Sequence, residues 1–238
     1  MKDEDHEAAL IWSWMANAEA WTRAVREGRI ESRRVATDAA MVHAVLERGP
    51  ERVLDLGCGE GWLMRELAGR GIEAVGLDVS MELVVAAEET GGGRYRCCSY
   101  EEVVDDFTRA GGPYDLVACN FSLLSADLVP LLRALRENLD IGGALVIQTV
   151  HPWIAAGEEP YGDGWRTETF AAFGGDFAEP MPWYFRTLQS WLDALREAGF
   201  RLVTLREPVH PGTGRPASLL LVAEPDSDDS PREGELSS

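Results

Sequence analysis

The stretch "VLDLGCGEGW", residues 53–62, places Gly57, Gly59 and Gly61 directly after a short apolar run. An apolar run that ends in glycine is typical of a buried strand followed by a tight turn. Glycine loses more conformational freedom on folding than any other residue, so three in five positions indicate that a ligand or another part of the backbone comes very close. Asp55 stands just ahead of them. We therefore predict a ligand site at this turn, with a tight turn that binds nothing as the alternative.

Short apolar runs and segments with helical spacing alternate along the chain, from the run at residues 51–57 to the run at residues 142–150. Strands that alternate with helices at this spacing predict an α/β fold, with a parallel sheet covered on both faces. Two later runs, residues 201–208 and 218–225, are joined by a short Pro- and Gly-rich connection without a helix. Such a pair predicts an antiparallel hairpin at one end of the sheet.

The domain organisation follows from composition. Residues 1–50 hold two helical segments, at about residues 7–27 and 35–48, and are predicted to form an N-terminal helical cap on a core at residues 51–225. Residues 151–186 are rich in Gly, Pro and large aromatic side chains; we predict a lid or substrate insertion, because loops of this length are usually functional. Packing of this insertion on the sheet edge is the alternative. The acidic tail, residues 226–238, has little to bury, and we expect it to be disordered.

The composition excludes several functional classes. The formal charge of −19 and the absence of a Lys/Arg cluster argue against a nucleic-acid partner. The sequence contains no window of 18 uninterrupted apolar residues, so we predict no membrane span. The N-terminus is acidic, whereas a signal peptide begins with a basic segment. The four cysteines form no CxxC pair, so we predict no metal site. We expect a cytoplasmic protein, either a monomer or a homodimer.

The glycine spacing distinguishes between two cofactor classes. Dinucleotide sites use G-x-G-x-x-G to hold a pyrophosphate, whereas this turn reads G-x-G-x-G and carries the acidic Glu60. Asp78 ends the second strand, where a carboxylate accepts hydrogen bonds from ribose hydroxyls in either class. Asp55 is suited to an ammonium group. The pattern favours a cofactor with a ribose, an amino-acid end and no phosphate, and an NAD-dependent enzyme is the less favoured alternative.

Together with "GLDVS", "YDLVACNFSLL" and "REAGFRLVTLREP", the glycine motif resembles the class I S-adenosylmethionine-dependent methyltransferases, over roughly residues 35–224. The likeness is greatest to the small-molecule methyltransferases of bacteria. The resemblance implies a Rossmann-like, seven-stranded, mostly parallel sheet with an antiparallel last strand. It also implies S-adenosyl-L-methionine as the cofactor and a small-molecule methyl acceptor.

The resemblance also implies roles for individual residues. Asp55 and the backbone of the glycine turn would line the methionyl end of the cofactor, and Gly61 would let the helix pack closely. Asp78 would hold the ribose. Arg33 would pair with the cofactor carboxylate, with an ordinary solvated arginine as the alternative. The implied cofactor-binding residues are Arg33, Asp55, Gly57, Cys58, Gly59, Gly61, Asp78, Val79, Ser99, Tyr100, Asn120 and Phe121.

His151 follows the fifth strand, at the edge of the sheet where the methyl group is expected. Because histidine titrates near neutral pH, we predict that His151 is the general base, with a loop-holding histidine as the alternative. The aromatic insertion predicts an aromatic-lined acceptor pocket. Its excess of acids indicates a neutral or positively charged acceptor, with exposed carboxylates that contact no acceptor as the alternative. The pocket residues predicted from it are Trp153, Trp165, Trp183 and Tyr184.

Trp12, Trp14 and Trp21 recur at helical spacing near the N-terminus and are predicted to be core residues, with Trp21 as an alternative cofactor lid. The functional prediction is a methyltransferase that modifies oxygen or nitrogen of a small, aromatic or other ring-containing molecule. A non-catalytic protein that binds S-adenosylmethionine or S-adenosylhomocysteine and regulates a partner is the second hypothesis.

Overall fold

The computed structural model describes residues 2–174 and 177–226. The strands are β1 (Arg52–Leu56), β2 (Glu73–Asp78), β3 (Arg94–Cys97), β4 (Tyr114–Asn120), β5 (Leu139–Thr149), β6 (Gly164–Glu168), β7 (Met181–Phe185), β8 (Phe200–Arg206) and β9 (Leu219–Pro225). The α-helices are α1 (Asp3–Ala16), α2 (Ala18–Arg26), α3 (Asp38–Arg48), α4 (Trp62–Ala68), α5 (Met81–Thr90), α6 (Tyr100–Asp105), α7 (Val129–Glu137), α8 (Pro152–Ala156) and α9 (Leu188–Glu197).

Seven strands form one sheet in the order β3-β2-β1-β4-β5-β9-β8. The pairs from β3 to β5 are parallel, and β9 runs antiparallel to both of its neighbours, β5 and β8. The order reverses at β1 and β4, so their carboxyl ends open into the crevice where α/β sheets bind ligands. The predicted fold class, with its antiparallel last strand, is confirmed.

Helices cover both faces of this sheet, as the continuous apolar runs of the strands require. On one face, Leu54, Val117 and Ile147 pack with buried residues of α7 and α9. On the other face, Val53 and Val146 pack with buried residues of α3 and α4. Helix α5 begins where the Ser80 hydroxyl accepts a hydrogen bond from the Leu83 N–H, a standard N-cap. The packed sheet fixes the strand ends from which the site is built.

The structure differs from the predicted elements in the cap and in the insertion. The predicted helix at residues 7–27 is two helices that meet at Asn17, and a π-helical segment, Arg33–Thr37, precedes α3. The insertion contains α8 and an antiparallel pair of strands, β6 and β7. Short strands with few apolar residues on one face are hard to distinguish from a loop. The predicted tail lies outside the described residues, except for Asp226.

Asn17 joins the N-terminal helices to the insertion. Its buried Nδ2 donates to the Glu179 carbonyl at 2.7 Å and to Ser13 Oγ at 3.1 Å. Its Oδ1 accepts from the backbone N–H groups of Ala178 and Glu179, at 2.7 and 3.2 Å. A break between two helices thus provides a side chain that satisfies the backbone of a distant segment.

We expect Asn17→Ala to loosen the cap and the insertion together, because the substitution removes three hydrogen bonds to the backbone of Ala178 and Glu179, worth about 0.5–1.5 kcal/mol each. Hydrogen exchange at residues 3–26 and 177–186 should accelerate about tenfold or more, while β1 and β4 stay protected. Asn138→Ala, which removes a buried asparagine bonded to the Ala134 carbonyl of α7, is the control and should leave both segments unchanged. Unchanged exchange in Asn17→Ala would show that this contact does not hold the insertion.

Candidate active site

A cavity of about 690 Å³ opens at the carboxyl ends of β1, β2 and β4. Helices α1 and α2 form one wall, and residues of the insertion form another. Its volume is in the range of sites for small molecules and cofactors. Of the predicted site residues, those that line it are Arg33, Gly57, Cys58, Gly59, Asp78, Val79, Ser99, Tyr100, Asn120, Phe121 and Trp183.

The three glycines of the turn have different reasons to lack a side chain, although all three have positive φ. A Cβ on Gly57 would lie 2.3 Å from Ser122 Cβ, and one on Gly61 would lie 2.5 Å from Tyr95 Oη. Both therefore make room for protein atoms. At Gly59 the nearest atom would be Trp21 Nε1 at 3.7 Å. Gly59 is thus the position where bare backbone faces the cavity itself.

Asp78 lies at the tip of β2 and is held by the glycine turn. Its Oδ2 accepts from the Gly59 N–H at 2.8 Å, and its Oδ1 accepts from the Ser80 N–H at 2.9 Å. Burial raises the pKa of the carboxyl, and the backbone N–H groups oppose that rise. A carboxylate oxygen has two lone pairs, so each oxygen can accept a further hydrogen bond from a ligand hydroxyl. This arrangement suits a ribose with two adjacent hydroxyls.

Asp55 lies behind the turn and does not belong to the cavity lining. It is 2% exposed, and its Oδ2 has no hydrogen-bond partner among the described residues. Burial raises the pKa of Asp55 to about 7, and the charge of Asp78 adds to the rise, whereas Arg33 opposes it. A buried carboxylate without a partner is costly, and a nearby ammonium group would offset that cost.

Arg33 supplies a cation with one free N–H group in the cavity wall. Its Nε donates to Asp38 Oδ1 at 2.9 Å, and its guanidinium lies over the Trp62 ring at 4.8 Å. Its buried Nη2 has no partner within the part of the chain that the structure describes. Arg33 Nη2 and Asp55 Oδ2 are thus unpartnered atoms of a basic and an acidic side chain. They fit the carboxylate and the ammonium of an amino-acid end.

The end of β4 forms the floor of the cavity. Phe121 follows the strand with φ +55°, a left-handed conformation that is uncommon for a large residue and clusters at functional sites. Tyr100 Oη donates to the Ser122 carbonyl at 2.9 Å, and burial raises the pKa of Tyr100 well above its usual value. Ser99 Oγ accepts from the Glu102 N–H and caps α6. Tyr100 is therefore a neutral phenol in this wall, and the Ser99 hydroxyl serves the helix.

Strand alternation sorts the aromatic residues of the insertion. Met181 and Trp183 of β7 face the cavity, whereas Tyr184 points to the opposite side. Trp165, opposite Tyr184 on β6, donates from Nε1 to Asp3 Oδ1 at 2.9 Å. Trp153 is 71% exposed. The structure thus places Trp165 and Tyr184 outside the lining, because residues that alternate along a strand face opposite ways, and it places Trp153 outside the lining on the exposed side of α8.

The structure corrects the prediction that Trp12, Trp14 and Trp21 are all core residues. Trp14 and Trp21 line the cavity, with ring centroids 5.2 Å apart, whereas Trp12 is 60% exposed. Helix α1 also brings Glu7 and Leu10 into the lining, which the sequence analysis missed. The only signal for them was their spacing with Trp14 on one helix face. The cap is thus a wall of the site.

His151 lies beside the cavity but is not part of its lining. Its Nε2 is 2.7 Å from Glu207 Oε1, and its buried Nδ1 has no partner among the described residues. Val150, one residue earlier, does line the cavity. A general base must come within hydrogen-bond reach of the proton that it removes. The role of His151 stays a prediction, and its pairing with Glu207 equally suits a residue that holds the loop.

The chain belongs to a family of methyltransferase domains, whose sequence profile matches residues 30–205. A malonyl-[acyl-carrier protein] O-methyltransferase of Legionella pneumophila is 32% identical over 110 residues, which are 45% of this chain and 39% of that protein. A ubiquinone biosynthesis O-methyltransferase of Xanthomonas oryzae pv. oryzae is 33% identical over 121 residues, 48% of this chain and 49% of that protein. The chain thus matches less than half the length of these curated relatives.

Solved structures share the fold at lower identity. A Burkholderia thailandensis 1,6-didemethyltoxoflavin-N1-methyltransferase with bound S-adenosylhomocysteine has a TM-score of 0.65 at 20% identity, covering 95% of this chain and 91% of that chain. An S-adenosylmethionine-dependent methyltransferase from Mesorhizobium loti has a TM-score of 0.58 at 24% identity, covering 76% of this chain and 95% of that chain. Their likeness supports the architecture described above.

Two further features concern metals and membranes. Within residues 2–174 and 177–226, no three His, Cys, Asp or Glu side chains are grouped as metal ligands. No helix in the same ranges combines the length and the apolar character that crossing a bilayer requires.

Proposed function

We propose that this chain is an S-adenosylmethionine-dependent methyltransferase that modifies oxygen or nitrogen of a small, ring-containing molecule. The proposal rests mainly on two buried atoms without a hydrogen-bond partner among the described residues, Nη2 of the basic Arg33 and Oδ2 of the acidic Asp55, with the Asp78 carboxyl near Asp55. An amino-acid end and a ribose need these groups, and a dinucleotide pyrophosphate does not. Membership of a methyltransferase family supports the same cofactor.

Each residue of the cavity would have a separate role that depends on its position. When bound, S-adenosylmethionine supplies an electrophilic methyl group on a positively charged sulfur. Asp78 would orient the ribose, and Arg33 would hold the carboxylate. Trp14 and Trp21 would exclude water on the side of the cavity that α1 and α2 form. Positioning of two partners at short distance supplies several kcal/mol of acceleration, about 7–11 in favourable cases. The proposal therefore needs little acid–base chemistry from the chain.

The far part of the cavity supports a ring-containing acceptor. Leu10, Leu124, Phe170 and Met181 form a buried cluster, with Trp14, Trp183 and other aromatic side chains packed against it. The carboxylate-bearing residues of this part are Glu7, Asp127 and Glu168. Apolar faces with a few acids favour a neutral or positively charged ring over an anion. The curated relatives named above are O-methyltransferases and one structural neighbour is an N-methyltransferase, so the proposal covers both atoms.

The function is tested with S-adenosylmethionine labelled in its methyl group and a panel of phenols, catechols and aromatic amines. Transfer of label to a low-molecular-weight product supports the proposal. Binding of S-adenosylhomocysteine without any turnover across the panel supports the alternative, a cofactor-binding regulatory protein. Binding of NAD but not of S-adenosylhomocysteine contradicts the cofactor assignment.

A substitution at His151 separates its two roles. If His151 only holds the loop, His151→Gln, which keeps a hydrogen-bonding group, leaves kcat within about threefold of the unsubstituted protein. If His151 is the general base, kcat falls about 100-fold or more. The placement outside the cavity leads us to expect the first result. Glu207→Gln is the matched control for the hydrogen bond between the two side chains.

A further inference from the structure

Gln148 is a polar residue in an apolar layer. It lies one position before the end of β5, with 0% of its surface exposed. Ala144 and Val146 precede it on the same face of the strand and are buried against α3 and α4. Glutamine is mostly an exposed residue, and a buried amide is tolerated where its hydrogen-bonding atoms are paired. Its place at the sheet edge beside the cavity calls for a specific role.

The hydrogen bonds of Gln148 fix its orientation. Nε2 donates to the Thr37 carbonyl at 2.9 Å and to Asn120 Oδ1 at 2.8 Å. Oε1 accepts from Ser218 Oγ at 3.2 Å. A backbone carbonyl can only accept, so the side of Gln148 that faces Thr37 must be its NH₂ group. The same NH₂ group then requires that Asn120 turns its oxygen, not its nitrogen, toward Gln148.

The Nε2 atom of Gln148 thereby contacts two parts of the cavity wall, Asn120 and the segment that ends at Thr37. Asn120 lines the cavity, and because its oxygen is engaged by Gln148, its NH₂ group is left as a donor for a ligand. Thr37 ends the π-helical segment that carries Arg33. The backbone carbonyl of Gln148 also accepts a hydrogen bond from the Phe121 N–H at 2.7 Å, and Phe121 itself has a left-handed backbone conformation. π-Helical turns and strained residues are features of functional sites.

We propose that Gln148 is a positioning residue for the amino-acid end of the cofactor. It holds the segment bearing Arg33 and the carboxamide of Asn120 so that N–H donors from both face the part of the cavity that takes a carboxylate. This inference rests on the cofactor proposed above. It assigns to a buried residue outside the cavity lining the orientation of two groups within it.

The test compares two ligands that differ only at that end. S-Adenosylhomocysteine carries the amino-acid group, whereas 5′-methylthioadenosine keeps the adenosine and the thioether without it. In the full chain, Gln148→Met removes the amide and keeps the length of the side chain. We expect calorimetry to show about a tenfold or greater loss of affinity for S-adenosylhomocysteine, a difference of about 1.4 kcal/mol. Affinity for 5′-methylthioadenosine should stay within about threefold.

Two further variants make the result specific. Ser218→Ala removes the bond to Oε1 and keeps both bonds from Nε2, so both affinities should be retained. Asn120→Asp keeps an oxygen for Gln148 but replaces the donor that faces the cavity by a negatively charged oxygen. Asn120→Asp should weaken the binding of S-adenosylhomocysteine but not that of 5′-methylthioadenosine. This variant tests the orientation of the Asn120 carboxamide even if Gln148→Met does not fold.

Three results would overturn the inference. They are an unchanged affinity for S-adenosylhomocysteine in Gln148→Met, an equal loss for both ligands in that variant, and an unchanged affinity in Asn120→Asp. A wild-type chain that binds neither ligand contradicts the proposed function instead. The two failures are therefore distinct.

Discussion

Asp78→Asn should abolish useful cofactor binding, with about a 100-fold or greater loss of affinity for both S-adenosylhomocysteine and 5′-methylthioadenosine. Hydrogen bonds to a charged group contribute about 1.5–3 kcal/mol each, so two ribose hydroxyls account for about 3 kcal/mol or more. Both ligands carry the ribose, so both should lose affinity by the same factor. Calorimetry on the purified chain measures this.

Asp115 provides the control for this substitution. Its Oδ2 accepts from the backbone N–H groups of Glu51 and Arg52, at 2.8 and 2.7 Å, so it is another carboxylate that holds a strand end. Asp115 lies near the amino end of β4, whereas the cavity lies at the carboxyl end of this strand. Asp115→Asn should leave both affinities unchanged. If Asp78→Asn also binds both ligands within about threefold of the wild-type chain, Asp78 does not hold the ribose.

Asp55→Asn should have opposite effects on stability and on binding. Burial raises the pKa of Asp55 to about 7, from an unfolded value of about 3.9. A raised pKa favours the fold only while the group is protonated, so its stabilising contribution is lost as the pH rises from about 4 to about 7. Asparagine avoids that loss. The variant without cofactor should therefore melt about 2–4 °C or more above the wild-type chain near pH 8.

The same substitution should weaken S-adenosylhomocysteine about tenfold or more and leave 5′-methylthioadenosine unaffected, because only the first carries an ammonium group. In the wild-type chain, affinity for S-adenosylhomocysteine should rise with pH up to about 7, as Asp55 ionises, and then level off. Affinity for 5′-methylthioadenosine should not change over that range. A lower melting temperature together with unchanged binding would show that Asp55 serves the fold alone.

Much of the cofactor half of the site was predictable from the sequence, since it is encoded locally. Gly59 follows a strand within one motif, and Asp78 ends the next strand, so chain order alone brings them to the same sheet edge. Gly57 shows a limit of this reasoning, because its missing side chain makes room for Ser122, which is distant in sequence. Periodicity carries no information about such a contact.

The acceptor half depends on tertiary placement. The sequence alone does not distinguish Trp14 from Trp165, yet Trp14 lines the cavity and Trp165 lies outside it. What separates them is the direction in which each helix or strand presents its side chain. Glu7 carries no motif, and Gln148 looks like a single polar residue in an apolar strand. Their roles follow only when α1 and β5 have been placed beside the glycine turn.

The most direct test of the central claim is a crystal structure of the chain with S-adenosylhomocysteine bound. The account predicts the ribose hydroxyls within hydrogen-bond distance of Asp78 and the carboxylate at Arg33 Nη2. The ammonium should lie on the side of Asp55, and the sulfur should face the aromatic half of the cavity. A ligand that binds elsewhere, or one whose amino-acid end points away from Arg33, would contradict it.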